Sequence, residues 1–480
     1  MTTDDFRVSG LTFPAGFTFG SATAAYQIEG AVAEDGRGPS IWDTFSHTPG
    51  KVENGDTGDI AVDFYHRVDE DLDLIKSLGL NAYRLSIAWP RIVPAGTGEV
   101  NEKGLAFYER VIDGLIDRGI EPVVTLYHWD LPQPLEDRGG WTNRETSYAF
   151  ADYARVVGER LGDRVSVWTT LNEPWCAAYL GYAAGHHAPG RTDEEASLKA
   201  VHHLNLAHGL ALIELRKVVT RPGARFSVTN NLASVYAADP GNPEDVDAKR
   251  QIEALRNRAF TEPQLRGRYP EDLIEDTKHI TDWSFVEDGD LELIHQPIDI
   301  VGINYYNTDT VARGPEHSTT GTPFPGATRV DFREQPGPFT AMGWNIAPKG
   351  LLDLLVATHE AYPEYEIVVT ENGAAYDDQV VVEDGVKRVH DPERIDFLQR
   401  HFVAAHRAIE AGVPLTGYFV WSLMDNFEWA FGYGKRFGIT YVDYATQERI
   451  KKDSALWYAE LAATGTIPEA TAVRAAAPGA

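Results

Sequence analysis

The stretch Val165-Ser-Val-Trp-Thr-Thr-Leu-Asn172-Glu173-Pro174-Trp175 decides the architecture. Its β-rich run of Val, Trp and Thr is stopped by Pro174, which cannot donate to a sheet ladder and biases Glu173 away from helix. Glu173 is therefore read as a carboxylate presented at the end of a strand. The same unit, a short β-rich run followed by a helical stretch, recurs on both sides of it.

Upstream, residues 17–23, 80–89 and 122–128 read as strands one to three, and the opening stretch is the fourth. Between them Phe64, Val68, Leu72, Ile75 and Leu78 recur at helical steps, a helix over 101–118 stops at Gly119, and another covers 145–161. Downstream, a long helix over about 193–219 precedes strand five (225–230), and further helices precede strand six (298–304). Helices near 348–361 and 392–411 flank strand seven (366–370), and 415–421 is the eighth. Residues 312–340, rich in Gly, Pro and Thr, read as a long loop, and 463–480 as a frayed tail. Eight strands alternating with helices imply a parallel sheet with right-handed crossovers. No Gly-rich dinucleotide fingerprint or phosphate-loop motif supports an open doubly wound sheet. The expected fold is α/β, a single (β/α)8 TIM barrel with long βα loops, forming one domain over 1–480.

Composition narrows the partners. With 43 Lys and Arg against 72 Asp and Glu, the formal net charge of -29 repels phosphate backbones and anionic membranes. Neither nucleic acid nor membrane is an expected partner. A single cysteine, Cys176, excludes an intramolecular disulfide and a Cys-based zinc site. It reads as a buried small hydrophobe. His186, His187, His202, His203 and His208 cluster locally, but no pair has the i, i+4 spacing of a helical metal face. No metal and no cofactor is expected. Without an apolar leader core or spanning run, the expected compartment is the cytoplasm. The residues do not specify an oligomeric state.

Chemistry in such barrels collects at the C-terminal strand ends. Those ends supply Gln27 after strand one, Arg84 in strand two, His128 and Trp129 after strand three, and Asn172 and Glu173 after strand four. Asn304 and Tyr306 follow strand six, Glu371 strand seven and Trp421 strand eight, with Glu428 and Trp429 just beyond. Amides, a histidine and indoles suit a sugar, with hydroxyls on its rim and C–H groups on its faces. Two carboxylates across a barrel mouth can hydrolyse a glycosidic bond, one protonating the leaving oxygen while the other attacks the anomeric carbon or activates water. Arg84 beside one of them would keep it ionised, and the other could hold a proton near neutrality.

Four segments in this order carry a family resemblance: Phe17-Thr-Phe-Gly-Ser-Ala-Thr-Ala-Ala-Tyr-Gln-Ile-Glu-Gly30, Thr170-Leu-Asn-Glu-Pro174, Val369-Thr-Glu-Asn-Gly373 and Trp421-Ser-Leu-Met-Asp-Asn-Phe-Glu-Trp429. From about Phe13 to Tyr458 the chain resembles glycoside hydrolase family 1, the retaining β-glycosidases. The resemblance implies Glu371 as nucleophile held by Arg84 and Tyr306, Glu173 as general acid/base, and Asn172 on the 2-hydroxyl, with Asn304 behind. It further implies Gln27, His128, Glu428 and Trp429 on the outer hydroxyls, with Trp129 nearby, Trp421 as stacking floor and Trp344 as platform for the leaving group. Trp175 and Tyr179 are further candidates on that side. Relatives acting on 6-phospho sugars resemble a pattern with Ser, Lys and Tyr where this chain has Glu428, Lys435 and Phe437, so an unphosphorylated sugar is expected. The implied activity is a retaining exo-β-glycosidase of β-glucosidase type, acting on a β-glucoside or cello-oligosaccharide. The alternatives are a catalytically silent sugar-binding barrel and an enzyme that mainly transfers sugars.

Overall fold

The computed structural model describes residues 3–470. Eight parallel strands close into one barrel: β1 (Thr18–Ala22), β2 (Ala82–Ser86), β3 (Glu121–Tyr127), β4 (Val167–Asn172), β5 (Arg225–Asn230), β6 (Ile300–Asn304), β7 (Glu366–Asn372) and β8 (Leu415–Trp421). Chain neighbours are sheet neighbours. β1 closes the ring by pairing with β2 (Gly20 opposite Ala82) and with β8 (Ala22 opposite Trp421). Strands such as β4 are buried along their whole length, as expected when side chains fill the barrel inside and helices cover it outside.

The principal covering helices are α1 (Val68–Ser77), α2 (Glu102–Asp117), α3 (Glu145–Leu161), α4 (Glu194–Val218), α5 (Pro348–Ala361) and α6 (Pro392–Glu410). α1 buries Val68, Leu72 and Ile75, the stripe visible in the sequence. α2 is followed by Gly119 at φ +75°, the left-handed residue that ends many helices. Among the described residues no helix is long and apolar enough to cross a membrane.

What positions the site is the irregularity at the strand ends. Pairing slips between Thr169 and Asn172 where β4 meets β5, and between Val369 and Glu371 where β7 meets β6. Such bulges re-aim side chains. Glu173 then adopts φ +46°, breaking the alternation that would send Asn172 and Glu173 to opposite faces. Trp129 (φ +78°) and Trp429 (φ +48°) share this left-handed conformation, at a cost of roughly 1–3 kcal/mol each.

The segment expected as a loop over 312–340 is partly ordered into sheet. Thr308–Arg313 pairs with Ser234–Ala237 on one side and Val330–Phe332 on the other. Its partner strand lies some seventy residues upstream, so local periodicity could not reveal it. Of residues 463–480, helix Asp453–Thr464 takes in the first two, and the backbone beyond it returns to the N-terminal segment. Gly10 N–H donates to the Ile467 carbonyl and Ile467 N–H to that of Leu11, at 2.8 and 2.9 Å, and Ile467 is buried. Residues 471–480 lie outside the described residues.

Candidate active site

A cavity of about 740 Å³ opens at the C-terminal ends of the strands. Of the residues singled out in the sequence, His128, Trp129, Glu173, Asn304, Tyr306, Trp344, Glu371, Trp421, Glu428 and Trp429 line it. Gln27, Arg84 and Asn172 are buried behind that lining. The 198-residue separation of Glu173 and Glu371 is therefore bridged by the barrel.

Glu371 is gripped by two donors. Arg84 Nη1 donates to its Oε1 at 2.6 Å, and the Tyr306 hydroxyl to its Oε2 at 2.7 Å. Arg84 Nη2 donates to Asn172 Oδ1 at 2.7 Å, and Asn304 Nδ2 to the same oxygen at 3.0 Å. Two donors on Oδ1 fix the Asn172 amide, so its Nδ2 donates to His128 Nε2 at 3.0 Å. The His128 ring must then be neutral with its proton on Nδ1. Burial, and then Arg84, also push its pKa well down. The Trp129 indole N–H donates to the Asn172 carbonyl at 3.0 Å, so what it offers the cavity is its ring.

Among the described residues no cation contacts Glu173. Asn304 Nδ2 donates to its Oε1 at 2.7 Å and the Cys176 thiol to its Oε2 at 3.2 Å. Burial, then the charge of Glu371, push Glu173 up to about 7. Burial raises Glu371 as well, but Arg84 and Tyr306 oppose it there. One carboxyl thus holds a proton near neutrality while its neighbour is stabilised as the anion.

Glu428 is raised to about 8, by burial and then by the charges of Glu371 and Glu173. Its side-chain partner is Gln27 Nε2, at 3.4 Å. A neutral Glu428 can both donate to and accept from a hydroxyl. Lys435, the residue a phosphate would need, instead donates to the Ala341 carbonyl at 2.7 Å. Indoles complete the wall: Trp421 lies 5.7 Å from the His128 ring, and Trp344 packs against Tyr306 at 5.3 Å.

Other residues lining the cavity escaped the strand-end reading, among them Asn231, Arg256, Asn307 and Phe431. Asn231 directly follows β5, so the strand-end rule could have found it. Arg256 had no such signal, since it sits in a helical stretch between β5 and β6. Cys176, Trp175 and His187 also line the cavity, whereas Tyr179 is buried behind Trp175. His186 lines the cavity too, and the other three histidines of that group are structural. His202 bonds Asp290 and Tyr269, His203 the Trp141 carbonyl, and His208 the Thr170 hydroxyl.

Fold and site together define a glycoside hydrolase. The chain belongs to glycosyl hydrolase family 1, whose profile matches residues 10–466. It is 55% identical over 458 residues to the bifunctional β-D-glucosidase/β-D-fucosidase of Bifidobacterium breve, covering 93% of this chain and 97% of that relative. The family 1 β-glucosidase from Thermotoga maritima superposes with a TM-score of 0.90 at 48% identity, covering 96% of this chain and all of that one. The psychrophilic β-glucosidase BglU from Micrococcus antarcticus gives the same score and identity over 97% of this chain and all of its own. These comparisons do not support the alternatives of a silent barrel or a principal transferase.

Proposed function

We propose that the chain, as one catalytic domain, is a retaining exo-β-glycosidase of β-glucosidase type that removes terminal β-D-glucosyl residues from glucosides or cello-oligosaccharides. The observation that carries this reading is the unlike environment of two carboxyls in one cavity: among the described residues, Glu371 touches a cation and Glu173 does not. Glu371 attacks the anomeric carbon while Glu173 protonates the leaving oxygen, giving a covalent glycosyl-enzyme. Glu173, now a base, takes a proton from the water that releases the sugar with retained configuration. Asn172, next to both carboxyls, is assigned to the 2-hydroxyl, and Asn304 holds Glu173. Gln27, His128, Glu428 and Trp429 take the outer hydroxyls over the Trp421 floor, with Trp129 at their side and Trp344 toward the leaving group. The missing cation near Glu428 supports an unphosphorylated sugar. A single cysteine, which asks for no oxidising surroundings, supports residence in the cytoplasm.

Proton NMR of 4-nitrophenyl β-glucoside turnover tests the reading, with β-glucose expected as the first-formed anomer. An α-first product overturns retention. Faster release from a 6-phospho or galactosyl analogue overturns the sugar assignment.

A further inference from the structure

The side of the cavity that receives the leaving group is marked by Glu173, because that carboxyl must reach the leaving oxygen. Next to it run two segments wound with i→i+5 hydrogen bonds, Cys176–Ala183 and Ala254–Arg258. Such turns are rare and concentrate at functional sites. The first follows Trp175 and the second carries Arg256, and these two side chains meet: the guanidinium carbon lies 4.5 Å from the Trp175 ring centre. Tyr179 and Phe324 brace the indole from other directions, at 6.0 and 5.9 Å.

Arg256 Nη1 is tied to Asp309 at 3.1 Å, which fixes the plane of the fork. Nε is buried without an acceptor, and Nη2, which is not buried, donates to no protein group among the described residues. Arg256 is thus a half-used donor on the cavity wall, held on an aromatic plate and anchored at one corner. Asn231 and Asn307 line the same cavity. The net charge of -29 over the whole chain disfavours an anionic leaving group in spite of the arginine.

We propose that Arg256, stacked on Trp175 and anchored by Asp309, is a specificity-determining residue that selects neutral, hydroxyl-bearing leaving groups, a second sugar ring, over apolar alcohols. The assignment rests on the glycosidase reading above. A sugar hydroxyl supplies an acceptor to the unburied Nη2, and its C–H face meets the aromatic wall. A hydrogen bond to a charged donor is among the stronger ones available, so its loss should be read in the rate with that substrate alone.

The test compares cellobiose with phenyl β-glucoside, whose leaving group has no acceptor beyond the scissile oxygen, in wild type and Arg256→Met. Methionine keeps the aliphatic stem on Trp175 and removes the donors. The expected result is a fall in kcat/KM of about tenfold or more for cellobiose, with phenyl β-glucoside changed by less than about threefold. Equal losses on the two substrates, or no loss on cellobiose, overturn the proposal. Should Arg256→Met not fold, Arg256→Lys serves: a single compact ammonium replaces the fork whose Nη1 holds Asp309 while Nη2 is left for the sugar, so cellobiose alone should fall, and unchanged cellobiose turnover overturns the proposal. Wild type that hydrolyses neither substrate defeats the glycosidase reading instead.

Discussion

At the end of β7, Glu371 receives a guanidinium at 2.6 Å and a phenol at 2.7 Å; at the end of β4, Glu173 receives an amide at 2.7 Å and a thiol at 3.2 Å. Both carboxyls are buried, so burial cannot be what separates them. The charge on the neighbour does. Arg84 is itself about 1% exposed and, among the described residues, pairs with Glu371 alone, so cation and anion hold each other in the barrel. Removing one partner of such a pair leaves the other buried and uncompensated, typically a cost of about 3–5 kcal/mol. The two strand ends show how one residue type takes two roles through its neighbours alone.

The largest effect should come from Glu371. Glu371→Gly is expected to reduce turnover by about 10⁴-fold or more. Azide should partly restore it and yield the α-glucosyl azide, because a small anion entering the vacated position attacks the same face. A β-azide would exchange the two roles and break the comparison.

Next comes Glu173, where the loss should depend on the leaving group. General acid assistance is worth about 10²–10⁴-fold, and a leaving group that departs as a stable anion needs little of it. Glu173→Ala should therefore slow phenyl β-glucoside by that range while leaving the glycosylation rate for 2,4-dinitrophenyl β-glucoside nearly intact. Pre-steady-state release of the phenol measures this, and equal slowing of both substrates contradicts Glu173 as the acid.

Both carboxyls were legible in the chain because each ends a β-rich run, the one at Glu173 stopped directly by Pro174. The barrel was legible for the same reason, since its strands announce themselves as short apolar runs between helical stripes. The left-handed turn at Glu173 follows from the sequence only as a need, since a regular strand would point the adjacent Asn172 and Glu173 to opposite faces. What stayed hidden depends on pairing across distance. Strand Thr308–Arg313 needs Ser234–Ala237 beside it, and Arg256 sits where its helix widens into i→i+5 turns. Propensity treats both segments as ordinary. The sugar-facing wall is thus written at the strand ends, and much of the leaving-group wall in the connections.

The smallest effect expected sharpens the difference at Glu173 itself. The Cys176 thiol donates to Oε2 and in turn accepts from Asn231 Nδ2 at 3.3 Å, so an amide on the cavity wall steadies it. A donor to a carboxylate favours the ionised form, and this one works against the burial that lifts Glu173 to about 7. Cys176→Ala removes the donor, so the pKa of Glu173 should rise. The protonated acid then persists to higher pH, and the alkaline limb of kcat/KM for phenyl β-glucoside should move upward by a fraction of a unit. The acid limb reports the ionisation of Glu371, whose donors Arg84 and Tyr306 are untouched, and it should stay in place. A shift of both limbs together would mean that the substitution disturbs the cavity as a whole. A downward shift of the alkaline limb would mean that the thiol favours the protonated acid, the opposite of what its hydrogen bond implies.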